Sequence, residues 1–358
     1  MFDLHNTLNK FFNNHVRLGS ERKILADYRD KNLERLQQGL ESLDYPNAFD
    51  HLDQGSYAMY TINQQANKDY DLDEAVIFNK DDLPSSALET RNRIEEAMCE
   101  GGGNFSQSPE ALTNAVRVYY AEGHHIDLAI YRRFENDYGE IIYEHAGCDW
   151  SIRNPSDITN WFNDLVNQIS PSKDYGATIE KGQMRKVVRL IKKFSKSREG
   201  WNLPCGLIIS VLVAECYRPN YYRDDVALYD TMASIRDRLY VDEVVYNPVD
   251  KSQSLTNRQK DQTRVRNFQE KLDSAIDKLQ VLHDLNCTEE QAKNAWYWVF
   301  QHDFWNTNDE EKSFDERGKS LAAAATAGSI FISPNGNIST VKPTGQSIPV
   351  PKQNFYGE

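Results

Sequence analysis

The sequence lacks the marks of several large protein classes. No apolar run approaches the roughly 18 residues that a membrane-spanning helix needs. The longest, Leu207 to Ala214, reads as a buried helix or strand. Five cysteines (Cys99, Cys148, Cys205, Cys216, Cys287) are scattered and odd in number, and none forms C-x-x-C or a Cys/His pair at zinc spacing. That excludes a zinc ribbon and a disulfide framework, and points to reduced thiols in a cytoplasmic protein. Positive charge is in deficit: 41 Lys and Arg stand against 54 Asp and Glu, a formal net charge of −13. Such a balance argues against broad binding to long nucleic acid or an anionic membrane. The first residues, Met1 to Phe12, lack the basic-then-apolar order of a secretory signal. No internal repeat marks a solenoid.

What is present is a globular chain. Its 358 residues and 39% hydrophobic content predict two domains of ordinary size with a large core. Ser20 to Leu43 predicts an N-capped amphipathic helix of about six turns. The next stretch, Gly55 to Phe78, carries the chemistry. It opens with Gly55-Ser56, whose unobstructed backbone amides and hydroxyl suit phosphate oxygens. It closes with Asp71 and Asp73 ahead of Ala75-Val76-Ile77-Phe78. In a strand, residues two apart share a face, so the two carboxylates project together and repel unless a cation neutralises them. Val116 to Tyr120 and Ile126 to Tyr131 predict a hairpin, with Asp127 interrupting an apolar strand. An unpaired buried carboxylate is costly. Asp127 is therefore either a strand end in water or, as preferred here, a third metal ligand. His124 and His125 lack zinc spacing and read as turn histidines.

Past Pro155 the texture becomes helical. Helices are expected over 156–169, 181–198, 203–217, 226–239 and 257–282, and from Cys287 through Trp305. The helix over 181–198 is strongly basic, with Lys186, Arg189, Lys192, Lys193 and Lys196 beside an apolar face. Such a charged face is usually solvated; here one or two of its lysines are expected to bind phosphate. From Ser320 the composition turns to Ala, Gly, Ser, Thr, Asn and Pro, which predicts a flexible tail.

The segment QGSYAMYT…DYDLDEAVIF, followed by HIDLAIY, resembles the nucleotidyltransferase signature of the polymerase-β superfamily. More narrowly it is similar to the bacterial cGAS/DncV-like nucleotidyltransferases (CD-NTases). Trp150-Ser151 with Asn154-Pro155, Trp161-Phe162, and Arg189 to Phe194 (similar to that family's Arg-x-x-Lys-x-Trp helix) extend the likeness over residues 20–315. The resemblance implies an α+β, bilobal enzyme: a mixed-sheet nucleotidyltransferase core with a long N-terminal helix over 1–154, a mainly helical, oligoadenylate-synthase-like lobe over 155–318, and a tail over 319–358. It implies two Mg²⁺ ions, or Mn²⁺, held by Asp71, Asp73 and Asp127. It implies donor phosphates on Gly55 and Ser56, with Lys192 first and Lys193 second as the phosphate-binding lysine. The implied activity is synthesis of a cyclic di- or trinucleotide from NTPs (ATP or GTP foremost, pyrimidine NTPs also admissible) in anti-phage (CBASS) signalling. A nucleotide-activated effector lies downstream, and a conjugation partner at the C-terminus is conceivable. A linear oligonucleotide synthase, a single-nucleotide transferase, and a silent nucleotide-binding module share the same site and stay open. The chain departs from the pattern at Tyr60, expected to reshape the donor pocket, at Cys205-Gly206, where relatives often carry Ser, and at its Gly357-Glu358 end.

Overall fold

The computed structural model describes residues 1–65, 68, 70–103, 105–121, 123–172 and 181–306, with the backbone of 331–332, 338–339 and 348–349. The chain falls into two compact units, Met1–Asp284 and Leu285–Glu358.

The first unit is built on a seven-stranded mixed sheet. Its strands are β1 (Asp50–Gln54), β2 (Asp71–Asn79), β3 (Gln107–Ala111), β4 (Val116–Tyr119), β5 (His125–Glu135), β6 (Ile141–Ala146) and β7 (Trp150–Ile152). The order is β1-β2-β5-β4-β3. β5, at 11 residues, pairs with β4 along its first half and with β6 along its second, and β6 in turn pairs with β7. β2 and β5 are parallel; every other pair is antiparallel.

The period of two divides β2 and β5 between two environments. Leu72, Val76 and Phe78 of β2, with Ile126, Leu128 and Ile130 of β5, enter the main core. They meet Leu25, Leu36 and Leu40 of helix α2 and Ile94, Ala97 and Met98 of helix α4. α2 spans Glu21–Ser42 and α4 spans Ala87–Glu100. Gly39 makes their close approach feasible, because a Cβ there would lie 1.8 Å from the carbonyl oxygen of Ala97. The opposite face carries Asp71, Asp73 and Asp127, and the smaller cluster of Ala75, Ile77 and Tyr131.

Before the sheet come α1 (His5–Phe11) and a π-helical turn over Phe12–Val16. A four-residue helix, α3 (Gly55–Ala58), follows β1. After β7 come α5 (Asp157–Ile169), α6 (Gln183–Ser195), α7 (Gly206–Cys216), α8 (Asp224–Val241) and α9 (Gln259–Leu279). The second unit contains α10 (Glu289–Phe300), whose Thr288/Gln291 capping box starts it. Aromatic rings of Trp296, Phe300 and Trp305 stack within that unit.

The mixed α+β class is as expected from the sequence, and the long helix near the start and the β4–β5 hairpin form where predicted. Several expectations need correction. Ser20 makes no side-chain cap and already has helical dihedrals. Helix α10 stops at Phe300, where Gln301 turns left-handed with φ of 45°. Asp50–Gln54, for which no strand is predicted from the sequence, forms β1. The basic helix turns only part of its charge to water. α6 packs against α5, α7, α8 and the Phe12–Val16 turn, so Lys186 and Arg189 are buried against protein while Lys196 is exposed. The Lys186 ammonium donates to Asp224 Oδ2 at 2.8 Å, and Arg189 donates to the carbonyls of Val16 and Ile62. The tail expectation over 319–358 lies outside the described residues, save three two-residue strands, β8 (Phe331–Ile332), β9 (Ile338–Ser339) and β10 (Ile348–Pro349), with β8 in the middle.

The Lys186–Asp224 pair gives a stability test. Both side chains are buried, at 9% and 2% exposure. Asp224→Ala should lower unfolding free energy by about 3–5 kcal/mol by stranding the ammonium. Lys186→Met with Asp224→Leu should recover much of that loss. Urea unfolding of the three proteins measures both.

Candidate active site

The site forms where β1 ends. Gln54 pairs with Asp73, and the chain turns immediately into Gly55 with φ of +57°. Only glycine adopts this region without strain. It is also the only residue that fits, because a Cβ at Gly55 would lie 2.0 Å from Asp73 Oδ2. The Gly55-Ser56 turn therefore sits directly against the acid pair.

The acids come together through register. In the parallel β2–β5 ladder Asp73 stands opposite Asp127, and Asp71 opposite His125. Asp71 is 60% exposed, with His125 Nε2 at 3.3 Å from its Oδ1. Asp73 lies deeper. Burial, then the carboxylates of Asp127 and Asp71, push its pKa up to about 6. The two oxygens of Asp127 both accept from Arg117 of β4, from Nε at 2.7 Å and Nη2 at 2.6 Å. The same Nη2 lies 3.8 Å from Asp71 Oδ1. This ion pair, chiefly through its hydrogen bonds, raises the Arg117 pKa above its ordinary value.

The facing wall comes from the helices. Lys192 of α6 donates from Nζ to Thr61 Oγ1 at 2.9 Å. Burial holds its pKa down to about 7. Gly206, the first residue of α7, lies so near that a Cβ would approach Lys192 Nζ to 3.2 Å. Together these parts line a cleft of about 800 Å³ that contains Gly55, Ser56, Asp71, Asp73, Asp127 and Lys192. That is toward the upper end of the roughly 300–1,000 Å³ usual for ligand sites.

Thus six of the residues singled out from the sequence converge. Lys193 does not line the cleft. Tyr60 does not line it either: its ring takes one side of the Arg22 guanidinium, at 3.9 Å, while Tyr57 takes another. Cys205 and Gly206 do line the cleft. The sequence reading missed Arg117 and Thr61. Arg117 had a signal: it is the one charge in Val116 to Tyr120, the strand predicted to pair with the one that holds Asp127.

Among the described residues no three His, Cys, Asp or Glu side chains stand arranged as a metal cage. Arg117 engages Asp127 instead. The donor chemistry nonetheless fits a hard divalent cation. Asp71 and Asp73 are adjacent oxygen donors, and burial together with the neighbouring carboxylates raises the Asp73 pKa.

Comparison with known proteins gives the class. Residues 50–131 match the family model described as "Cyclic GMP-AMP synthase DncV-like, nucleotidyltransferase domain". These residues form a DncV-like nucleotidyltransferase domain. The matched span holds Gly55, Ser56 and all three acids, so the resemblance read from the sequence is borne out for this domain. The fold of the chain is similar to that of CdnG, a CD-NTase of Bradyrhizobium diazoefficiens solved in complex with GTP, at 19% identity and TM-score 0.60, over 84% of this chain and 95% of that one. It is similar to DncV of Vibrio cholerae, a cyclic AMP-GMP synthase solved with the linear intermediate 5′ pppA(3′,5′)pG, at 15% identity and TM-score 0.62, over 84% and 96%. It is also similar to E. coli MS115-1 CdnC solved with ATP, at 15% identity and TM-score 0.58, over 84% and 98%.

Gly55→Ala tests the turn of this nucleotidyltransferase domain. It should cost about 1–3 kcal/mol of stability from strain at positive φ. It should cost about 100-fold or more in turnover by displacing Asp73. Thermal melting and initial rates separate the two effects.

Proposed function

We propose that the protein joins nucleoside triphosphates into a cyclic di- or trinucleotide, with release of pyrophosphate at each bond, as a bacterial anti-phage (CBASS) signal. The observation that carries the reading is the register of Asp73 with Asp127, beside Asp71 and under the Gly55-Ser56 turn. The substrates are NTPs, ATP or GTP foremost. The Gly55 amide and Ser56 hydroxyl hold the donor's terminal phosphates. Lys192 adds positive charge from the opposite wall. Asp71 and Asp73, joined by Asp127, hold two Mg²⁺ or Mn²⁺ ions. The metals, when bound, supply charge neutralisation of the triphosphate and a lowered pKa for the attacking hydroxyl. Asp127 orients the acceptor ribose hydroxyl for in-line attack on the α-phosphorus. Positioning and electrostatic stabilisation are what such a reaction asks of the protein. The domain division 1–154 and 155–318 fits this chemistry, since the acids stand in the first segment and Lys192 in the second.

Cyclisation requires that the linear product turn within the cleft and present its own triphosphate to the acids. The fold relative solved with pppA(3′,5′)pG supports that course. A linear ladder of products is the competing outcome, and an inert protein the third.

The deciding assay incubates the protein with labelled ATP, GTP, CTP and UTP, singly and mixed, with Mg²⁺ or Mn²⁺, followed by phosphatase. A phosphatase-resistant, ring-sized product is expected. Asp71→Ala with Asp73→Ala should abolish all products while melting normally; persistence of product would refute the acid assignment.

Lys192 predicts a pH dependence. In the free protein its pKa is about 7. A triphosphate beside it favours the charged form and raises that value. Below pH 7 the lysine is already protonated and contributes no dependence. Above pH 7 binding takes up a proton, so affinity falls with rising pH, by up to about tenfold per unit. Calorimetric titration with a non-hydrolysable NTP from pH 6.5 to 9 should show this slope, and Lys192→Met should flatten it.

A further inference from the structure

We propose that Arg117 is a built-in competitor of the divalent cation, holding Asp127 out of the metal site until the guanidinium is drawn away. The inference rests on the nucleotidyl-transfer reading above and adds an order of events to it.

Arg117 grips Asp127 by both oxygens, in the fork geometry that makes arginine–carboxylate pairs strong. Its Nη2 also faces Asp71 at 3.8 Å. The guanidinium therefore neutralises two of the three acids at once. A divalent cation held by the same carboxylates must compete with that charge. While the pair is closed, the fork takes one lone-pair site on each oxygen of Asp127, and its positive charge opposes a cation at the sites that remain.

The contact is built to open. Arg117 is 26% exposed and lines the cleft, so its head already reaches solvent. Among the described residues its side-chain hydrogen bonds go to Asp127 alone. Two buried arginines of this fold are tied differently. Arg91 donates to the carbonyls of Ala146 and Gly147, and Arg189 to those of Val16 and Ile62. Those bonds fix a buried cation to the backbone, where leaving would strand carbonyls. Arg117 is held only by side chains, those of Asp127 and Asp71, in a cleft. A polyanionic ligand such as a triphosphate offers its guanidinium an alternative partner of matching charge. Departure of Arg117 then frees Asp127 for the metal. Nucleotide and metal binding become mutually reinforcing, and the empty enzyme holds its metal weakly.

The test is Mn²⁺ binding to the nucleotide-free protein, read by electron paramagnetic resonance of the free ion. Arg117→Gln should bind Mn²⁺ about tenfold more tightly than wild type, within the range usual for coupled sites. Arg117→Lys, which keeps charge but loses the fork, should fall between. Asp73→Asn should lose the binding. Melting scans serve as the fold check and a second readout: Mn²⁺ should raise the melting temperature of Arg117→Gln more than that of wild type. Affinity in Arg117→Gln equal to or weaker than wild type, with Asp73→Asn still defective, overturns the competitor role and leaves the metal site standing. Equal binding by all four proteins overturns both, because the ion is then elsewhere. Should Arg117→Gln be unfolded at the assay temperature, Arg117→Lys takes its place, and the absence of tightening there overturns the proposal.

Discussion

Repulsion among three carboxylates governs this structure. Asp71, Asp73 and Asp127 are brought to one face of the sheet by strand register, and register cannot slip without moving every apolar partner on the other face. The core behind the sheet is thus what forces like charges together. The molecule answers in three ways. Asp73 has its pKa pushed up, Asp127 is clamped by Arg117, and Asp71 remains in water. Each is a partial substitute for the multivalent cation such a cluster favours.

The same constraint explains the local oddities around the acids. Gly55 has to be glycine because the backbone passes within van der Waals distance of the Asp73 carboxylate. A turn with a side chain would push the strand end away and loosen the cluster. On the opposite wall, Lys192 stays half-buried with a hydroxyl rather than a carboxylate as its partner. An ion pair there would satisfy the ammonium and leave nothing for an incoming phosphate. Its neighbour Lys186, six residues earlier on α6, has that ion pair with Asp224 and lies away from the cleft. One helix thus carries a lysine paired with a carboxylate and a lysine that faces the cleft with a hydroxyl as its partner.

How much of this could be read from sequence depends on the range of each interaction. The acids were legible because a strand's period is two, and because Asp127 is a charge within an apolar run. Gly55 was legible as a turn, though its clash with Asp73 was not, since that needs the β1–β2 pairing. β1 itself, Asp-His-Leu-Asp-Gln, has no apolar alternation; it is an edge strand with its outer residues in water. β3, Gln-Ser-Pro-Glu-Ala, hides for a similar reason, with a proline tolerated at the sheet edge. The fate of the basic helix was out of reach. Periodicity shows that Arg189 lies off the apolar stripe, but its acceptors stand 127 and 173 residues earlier in the chain.

The Arg117–Asp127 pair marks the boundary between those two cases. It is a cross-strand pair in a hairpin, so its register follows from the turn position alone. A charge opposite a charge in a hairpin ordinarily reads as structural support. Here the partner carboxylate stands directly across from Asp73, so the support and the chemistry fall on the same atoms. A cation that makes the empty site stable necessarily makes the loaded site harder to reach. On the proposed reading, stability of the apo fold and affinity for metal pull against each other through a single guanidinium, and the charge of the nucleotide tips the balance.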